Sequence, residues 1–175
     1  MTKVLFSFLI AFISLQTNLI EWSTARKLSW DDFKSVPDPN SPNAALTNTA
    51  INVEFGYDKS GLTFSIKCSF DKTLSWVRVK NDAVLGHEQG HFDIAEIYAR
   101  KLNKALKAYQ FNPKTAGNDV NKIYNDIMAA HHDAQDVYDH ETDYSRNKDK
   151  QEEWLKKIAA DLRILEAYAN YQSKN

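Results

Sequence analysis

Apolar and polar residues alternate along 51–57, where Ile51, Val53, Phe55 and Tyr57 fall on one side, and again along 62–70, where Leu62, Phe64, Ile66, Cys68 and Phe70 do. A period of two marks half-buried strands. Asp58-Lys59-Ser60-Gly61 between them predicts a hairpin turn. A third run, 74–79, is expected to complete an antiparallel sheet of three or four strands. Leu28-Ser29-Trp30-Asp31-Asp32-Phe33 reads as a short strand or turn, and Pro37, Pro39 and Pro42 mark a loop.

From Asn81 the period lengthens to that of a helix. Asp82 is the expected N-cap of a helix reaching about residue 109, with Leu85, Phe92, Ala95, Leu102 and Leu106 among its apolar positions. The stretch from Asn112-Pro113 to Gly117 breaks it. A second helix over about 118–138 carries Val120, Tyr124, Ile127, His131 and Tyr138 on one stripe, and a third from about 149 carries Trp154, Ile158, Leu162, Leu165 and Tyr168. Strands come first and helices after. The expected fold is α+β, a small N-terminal antiparallel sheet followed by three helices.

Ahead of this pattern, Lys3 precedes an apolar run over 4–15. A basic residue before about 12 apolar ones reads as a secretory signal peptide, too short for a span of about 20. Residues 1–20 are therefore expected to be a signal peptide, with cleavage near Thr17 or after Ser23-Thr24-Ala25, and 21–175 a single domain. The protein is expected to be secreted or periplasmic, with no stable membrane insertion once the signal is removed. Its formal net charge of -1 over 175 residues gives no support to a nucleic-acid partner. Cys68 is the only cysteine, so no intrachain disulfide forms. It shares the apolar face of its strand and reads as a core filler. Trp22, Trp30 and Trp76, next to strands, read as packing residues more readily than as a substrate groove.

His87-Glu88-Gln89-Gly90-His91 carries the chemistry. H-E-x-x-H on a helix is the metalloprotease pattern. Histidines four apart lie on one helical face, about 6 Å apart along the axis, and both can reach one ion. Zinc takes imidazole nitrogen and prefers four ligands. Glu88 can then stand beside the ion without binding it and accept a proton from the attacking water. Five histidines and eight glutamates shuffled over this chain give the motif about once in 200 arrangements. Gly90 within a helix costs about 1 kcal/mol relative to alanine, which points to close approach of a neighbouring backbone.

A catalytic site also needs a third ligand and an open position. His131, His132, Asp139, His140 and Glu141 all fall near the end of the second helix. His131 lies on the apolar stripe and suits a hydrogen-bonded core residue, while His132 and His140 suit the surface. Asp139 and Glu141 could equally cap the following helix. Glu96 is a weaker candidate and reads as an exposed helical carboxylate. Spacing does not choose among them.

The segments Leu28-Ser29-Trp30-Asp31-Asp32-Phe33-Lys34, Ala44-Ala45-Leu46-Thr47, Ser75-Trp76-Val77, His87 through Ile94 and Tyr138-Asp139-His140-Glu141-Thr142, followed by Gln151 and Trp154, form a recognisable series. Together they resemble the bacterial family named domain of unknown function 922, whose members are described as secreted zinc-dependent proteases. The resemblance runs from about residue 26 to 168. It implies a zincin-like domain with His87 and His91 as zinc ligands and Glu88 as catalytic carboxylate. It also implies Asp139 as third ligand, because a Tyr-Asp-x-x-Thr element falls on Tyr138, Asp139 and Thr142. The family pattern places a histidine two residues after that threonine, where this chain has Tyr144. If that histidine bound metal, the ligand is lost here. If it stabilises the oxyanion, the Tyr144 hydroxyl can donate in its place, which is the favoured reading.

The expected function is therefore an exported zinc-dependent hydrolase, foremost a peptidase acting on a peptide or protein substrate. Two alternatives stand beside it: an amidase or peptidase of peptidoglycan cross-links, and a catalytically inactive, metal-stabilised binding domain.

Overall fold

In a computed structural model of the protein, which describes residues 18–171, the two alternating segments pair as an antiparallel hairpin. The strands are β1 (Leu19–Glu21), β2 (Ala45–Leu46), β3 (Thr49–Asp58), β4 (Gly61–Asp71) and β5 (Trp76–Val77), and the helices are α1 (Asp82–Ala108), α2 (Ala116–Glu141) and α3 (Lys148–Ile164). β3 and β4 run in register from Thr49 opposite Phe70 to Asp58 opposite Gly61. Gly61 closes the turn at φ 129°, a conformation that residues with a Cβ rarely adopt. The fold is α+β, with a small antiparallel sheet and three helices.

The third strand of the sheet is not the expected one. β1 lies along β4, with Ile20 opposite Phe70. The 74–79 run instead contributes only β5, which pairs with β2 in a separate two-stranded sheet. The Asp71 carboxylate accepts from the Thr73 amide at 2.8 Å and the Ser75 hydroxyl donates to the Asp71 carbonyl at 2.6 Å, so the chain turns away at the end of β4. The expected boundary near residue 20 falls inside β1, where Ile20 is buried. The apolar run over 4–15 lies outside the described residues.

Leu28–Phe33 is neither strand nor plain turn: Trp30–Asp32 form one turn of 3-10 helix, with the Asp32 carboxylate accepting from the Ser29 amide at 2.9 Å. The N-cap of α1 is Asn81, one residue before the expected Asp82. Its side chain accepts from the Val84 amide at 2.9 Å, satisfying a donor of the first turn.

α1 is the central element. Phe92, Ala95, Ala99, Leu102 and Leu106 pack with Ile51, Ile66, Cys68 and Phe70 of the sheet. Ile94 and Ile97, on another face of the helix, pack with Tyr138, Ile158 and Leu165. A helix apolar on two sides is sandwiched, and its remaining stripe is what the protein has left for chemistry. Cys68 and Trp76 are buried, and Trp22 and Trp30 pack partly buried against the core, as packing residues do. Glu96 is not exposed as expected. Its carboxylate accepts from Arg100 Nε at 2.8 Å and from the Tyr171 hydroxyl at 2.6 Å, with Glu96 and Arg100 buried and Tyr171 partly so. Burial pushes its carboxyl up against those hydrogen bonds. It lies away from the histidines and serves as an internal tie.

Gly90 meets a side chain, not a backbone. A Cβ there would stand 2.7 Å from Tyr138 Cζ and closer still to its hydroxyl, whereas a Cβ on Gly86, one turn earlier, would meet nothing within 4 Å. The ring of α2 seats in the notch that the glycine leaves in α1. Gly90→Ala is therefore expected to lower stability by about 1–3 kcal/mol through overpacking. Gly86→Ala should raise it by up to about 1 kcal/mol through helix propensity. Thermal unfolding of the pair reads this directly, and equal shifts in both would overturn the notch.

Candidate metal centre

His87 and His91 project from the first half of α1 toward α2, and Asp139 reaches them from the last turn of α2. His87 Nε2 lies 2.9 Å and His91 Nε2 3.0 Å from Asp139 Oδ1, with 3.1 Å between the two nitrogens. Among the described residues these three form the group able to hold a metal ion. A tetrahedral ion with bonds of about 2.0–2.1 Å separates its ligand atoms by about 3.3–3.4 Å, so a few tenths of an ångström of opening suffices. Two imidazoles and a carboxylate are also a donor set that zinc accepts. The residues fit the ion.

The hydrogen bonds behind the imidazoles settle which nitrogen carries the proton. Gln135 Nε2 donates to the His91 carbonyl at 3.0 Å, which turns its Oε1 to His91 Nδ1 at 2.6 Å. The Tyr138 hydroxyl donates to the His87 carbonyl at 3.3 Å and accepts from Gln151 Nε2, which leaves Gln151 Oε1 facing His87 Nδ1 at 2.8 Å. Both Nδ1 atoms thus carry hydrogen, and each Nε2 faces the shared point, where it donates to Asp139 Oδ1 when protonated and offers its lone pair to an ion once that proton is lost. Tyr138 also stacks on His87 with 4.6 Å between ring centroids and stands edge-on to His91 at 5.0 Å, so neither ring can turn away.

α3 supplies Gln151 because Asn147 caps its start, accepting from the Lys150 amide at 3.2 Å and setting Gln151 in the first turn, where it is buried. Cutting Gln151 to leucine would free the His87 tautomer; such supporting partners typically carry a 10–100-fold effect on metal affinity. Zinc titration against a competing chelator is expected to show that loss, and unchanged affinity would remove Gln151 from the centre.

Electrostatics point the same way. Burial would raise the Asp139 carboxyl, but hydrogen bonds from His87 and His91 hold it well below the usual carboxylate range. Burial works against the charged form of His91, and Asp139 overcomes it and lifts the imidazole. Glu88 is 4% exposed, lines the same cleft, and is not a member of the group of three. Burial pushes its carboxyl up, opposed by His91 and by a hydrogen bond from Thr47. A carboxyl raised in this way is better matched to taking and returning a proton near neutrality.

A cleft of about 380 Å³ opens over the group, lined by His87, Glu88, His91 and Asp139 on the helical side and by Ala45, Leu46 and Thr47 on the other. The other sequence candidates divide. His131 is buried and accepts from Gln135 Nε2 at 2.9 Å; burial pushes it down to about 4, which suits a neutral support for Gln135. His132 is exposed at the rim of the cleft. His140 is exposed, and Glu141 faces outward to accept from Trp154 Nε1 at 2.8 Å. Tyr144 lines the cleft, 44% exposed, in a left-handed backbone at φ 52°. Gln135 was not anticipated, although His131, Gln135 and Asp139 stand four apart on one stripe of α2, the signal that would have found it.

A family model for bacterial proteins of unknown function, DUF922, matches residues 16–147. The chain belongs to that family. No curated protein and no solved structure matches it. The DUF922 match takes in all three donors and Gln135 but ends before Gln151 and Trp154, so the support from α3 lies beyond it.

Proposed function

We propose that this DUF922 protein is an exported zinc-dependent hydrolase with a zincin-like site, foremost a peptidase. The observation that carries the reading is the convergence of His87 Nε2, His91 Nε2 and Asp139 Oδ1 within 3.1 Å of one another on the floor of an open cleft. Three protein donors beside an open cleft suit a catalytic site, whereas a structural zinc site takes four and closes.

His87, His91 and Asp139 would hold the ion. When bound, zinc supplies Lewis acidity, polarising a carbonyl and acidifying a water. Glu88, buried beside the donors, takes the proton of the attacking water and returns it to the leaving amine. Gln135 and Gln151 keep both imidazoles in the tautomer that leaves Nε2 free. Tyr144, at the rim, is the candidate donor to the developing oxyanion. The proposed partners are a peptide or protein substrate or a cell-wall peptide, with no nucleic acid.

Export rests on the basic residue and apolar run at the N-terminus. Among the described residues no helix is long and apolar enough to cross a membrane. Since β1 begins at Leu19, cleavage near Thr17 keeps the sheet whole and cleavage after Ala25 removes a strand. N-terminal sequencing of the exported protein distinguishes the two.

Zinc content of the purified mature protein, followed by parallel incubation with casein and with sacculi, tests the function. Bound zinc and cleavage of casein are expected. Release of peptides from sacculi alone would move the reading to cell-wall cross-links. Bound zinc with neither product would favour the binding-domain alternative.

A further inference from the structure

Beside the cleft over the metal centre lies a second one of about 660 Å³, and Asn43, Ala44, Val84, Tyr144 and Ser145 line both. The two are adjoining parts of one groove. Their charge differs sharply. Glu88, Asp136 and Asp139 line the first, which has no lysine or arginine; Arg78, Arg146 and Lys148 line the second, which has no carboxylate side chain.

Those cations are not equivalent. Arg78 is pinned by neutral partners: Nη1 donates to the Ser41 carbonyl at 2.6 Å, Nη2 to the Asp38 carbonyl at 2.6 Å, and the guanidinium lies 5.5 Å from the centre of the Trp76 ring. Its position is fixed and its charge is left uncancelled. Lys148 forms no ion pair among the described residues. Arg146, by contrast, is neutralised by Asp143 at 2.6 Å. The second cleft also meets the start of α1 at Asn81 and of α3 at Lys148, where helix dipoles add positive potential.

The wall between the clefts is unusual. Asp143, Tyr144 and Ser145 all have left-handed backbone, at φ 49°, 52° and 72°, which is costly for residues with a Cβ. The turn is held by the Tyr144 amide donating to the Asp139 carbonyl at 2.9 Å and by the Asn147 amide donating to the Thr142 carbonyl at 2.9 Å. The cationic side of the groove is therefore tied to the residue that supplies the oxygen donor. Backbone strain of this kind persists where the surroundings over-determine it, and it gathers at functional sites.

We propose that the second cleft is a carboxylate-binding subsite, so that the substrate is a peptide carrying a negative carboxylate within a residue or two of the bond cleaved. This rests on the hydrolase reading above. The clefts share five lining residues, and an extended peptide advances about 3.3–3.6 Å per residue, so a peptide held over the metal centre can continue into the adjoining cleft. The carboxylate comes from an aspartate or glutamate side chain or from a free C-terminus, and both present the same charged oxygens to Lys148 and Arg78.

The test measures binding separately from turnover. Zinc-loaded Glu88→Gln protein is titrated by fluorescence anisotropy with peptides that differ only in glutamate, alanine or lysine near their centre, each with a free or an amidated C-terminus. Glutamate peptides are expected to bind about fivefold or more tightly than lysine ones at low salt, the gap narrowing as ionic strength rises. Lys148→Glu, on an exposed side chain at the start of a helix, should erase or invert that preference. A preference that follows only the free C-terminus assigns the site to terminal carboxylates, and one that follows only the side chain assigns it to acidic residues. Equal binding of all the peptides, or binding of none, overturns the subsite even if the wild-type protein cleaves peptides. Selective binding of acidic peptides that the wild-type protein leaves intact would instead sink the hydrolase reading and leave the subsite standing.

Discussion

Replacing Glu88 by glutamine is expected to lower kcat by about 10²–10⁴-fold on whichever substrate the protein cleaves, while bound zinc stays unchanged. The two halves of this expectation have different causes. Glu88 is not a member of the group formed by His87, His91 and Asp139, so an amide in its place removes no ligand. The substitution keeps shape and removes the only function proposed for the side chain, which is to accept a proton and give it back; general acid–base catalysis contributes about the factor quoted. Burial holds the Glu88 carboxyl above its ordinary value, and glutamine buries without charge, so the fold should hold. Paired measurements of kcat and zinc content decide it. Wild-type turnover in the variant would remove Glu88 from the mechanism, and loss of zinc would mean that Glu88 belongs to the coordination sphere.

His91→Ala, and independently Asp139→Ala, are expected to abolish stoichiometric zinc binding and with it the stabilisation that zinc confers. A ligand present at a thousand times its dissociation constant stabilises the folded state by about 4 kcal/mol. For a domain of this size that corresponds to a rise in Tm of about 10 °C. The wild-type protein should lose this increment on chelation, and the variants should show none to lose. His91→Ala also frees the Gln135 carbonyl oxygen from its partner 2.6 Å away, a modest further cost. Asp139→Ala removes the acceptor that both imidazoles share. If Asp139→Ala bound zinc as tightly as wild type while Glu141→Ala or His132→Ala did not, the third donor would have to be reassigned.

The alternation over 51–57 and 62–70 was enough to read β3 and β4, because a strand buried on one face repeats its chemistry every second residue. The lengthened period after Asn81 likewise announced α1, and the four-residue step from His87 to His91, with Glu88 inside it, fixed two donors on one face before any tertiary contact was known. These are local properties. They survive in any fold that keeps the segment helical.

The neighbour of β4 was another matter. The 74–79 run has strand character, but a ladder edge takes whichever segment the connecting turns deliver, and they deliver β1. Glu96 looked like a solvated helical carboxylate because nothing near it in sequence shows that Tyr171 and Arg100 will close over it. The choice of Asp139 over Glu141, His132 and His140 turned on the rotation of α2 about its own axis. That rotation is set by a packing contact, the Tyr138 ring seated in the notch at Gly90. With the ring in place, Asp139 faces the imidazoles and Glu141 faces Trp154. Gln151 arrives from a third helix for the same reason. Sequence by itself determined the segments and the pair of histidines, since both follow from the period of one stretch of chain; it pointed to Asp139 only through the family resemblance, because which carboxylate and which amides meet the histidines depends on how separate helices pack.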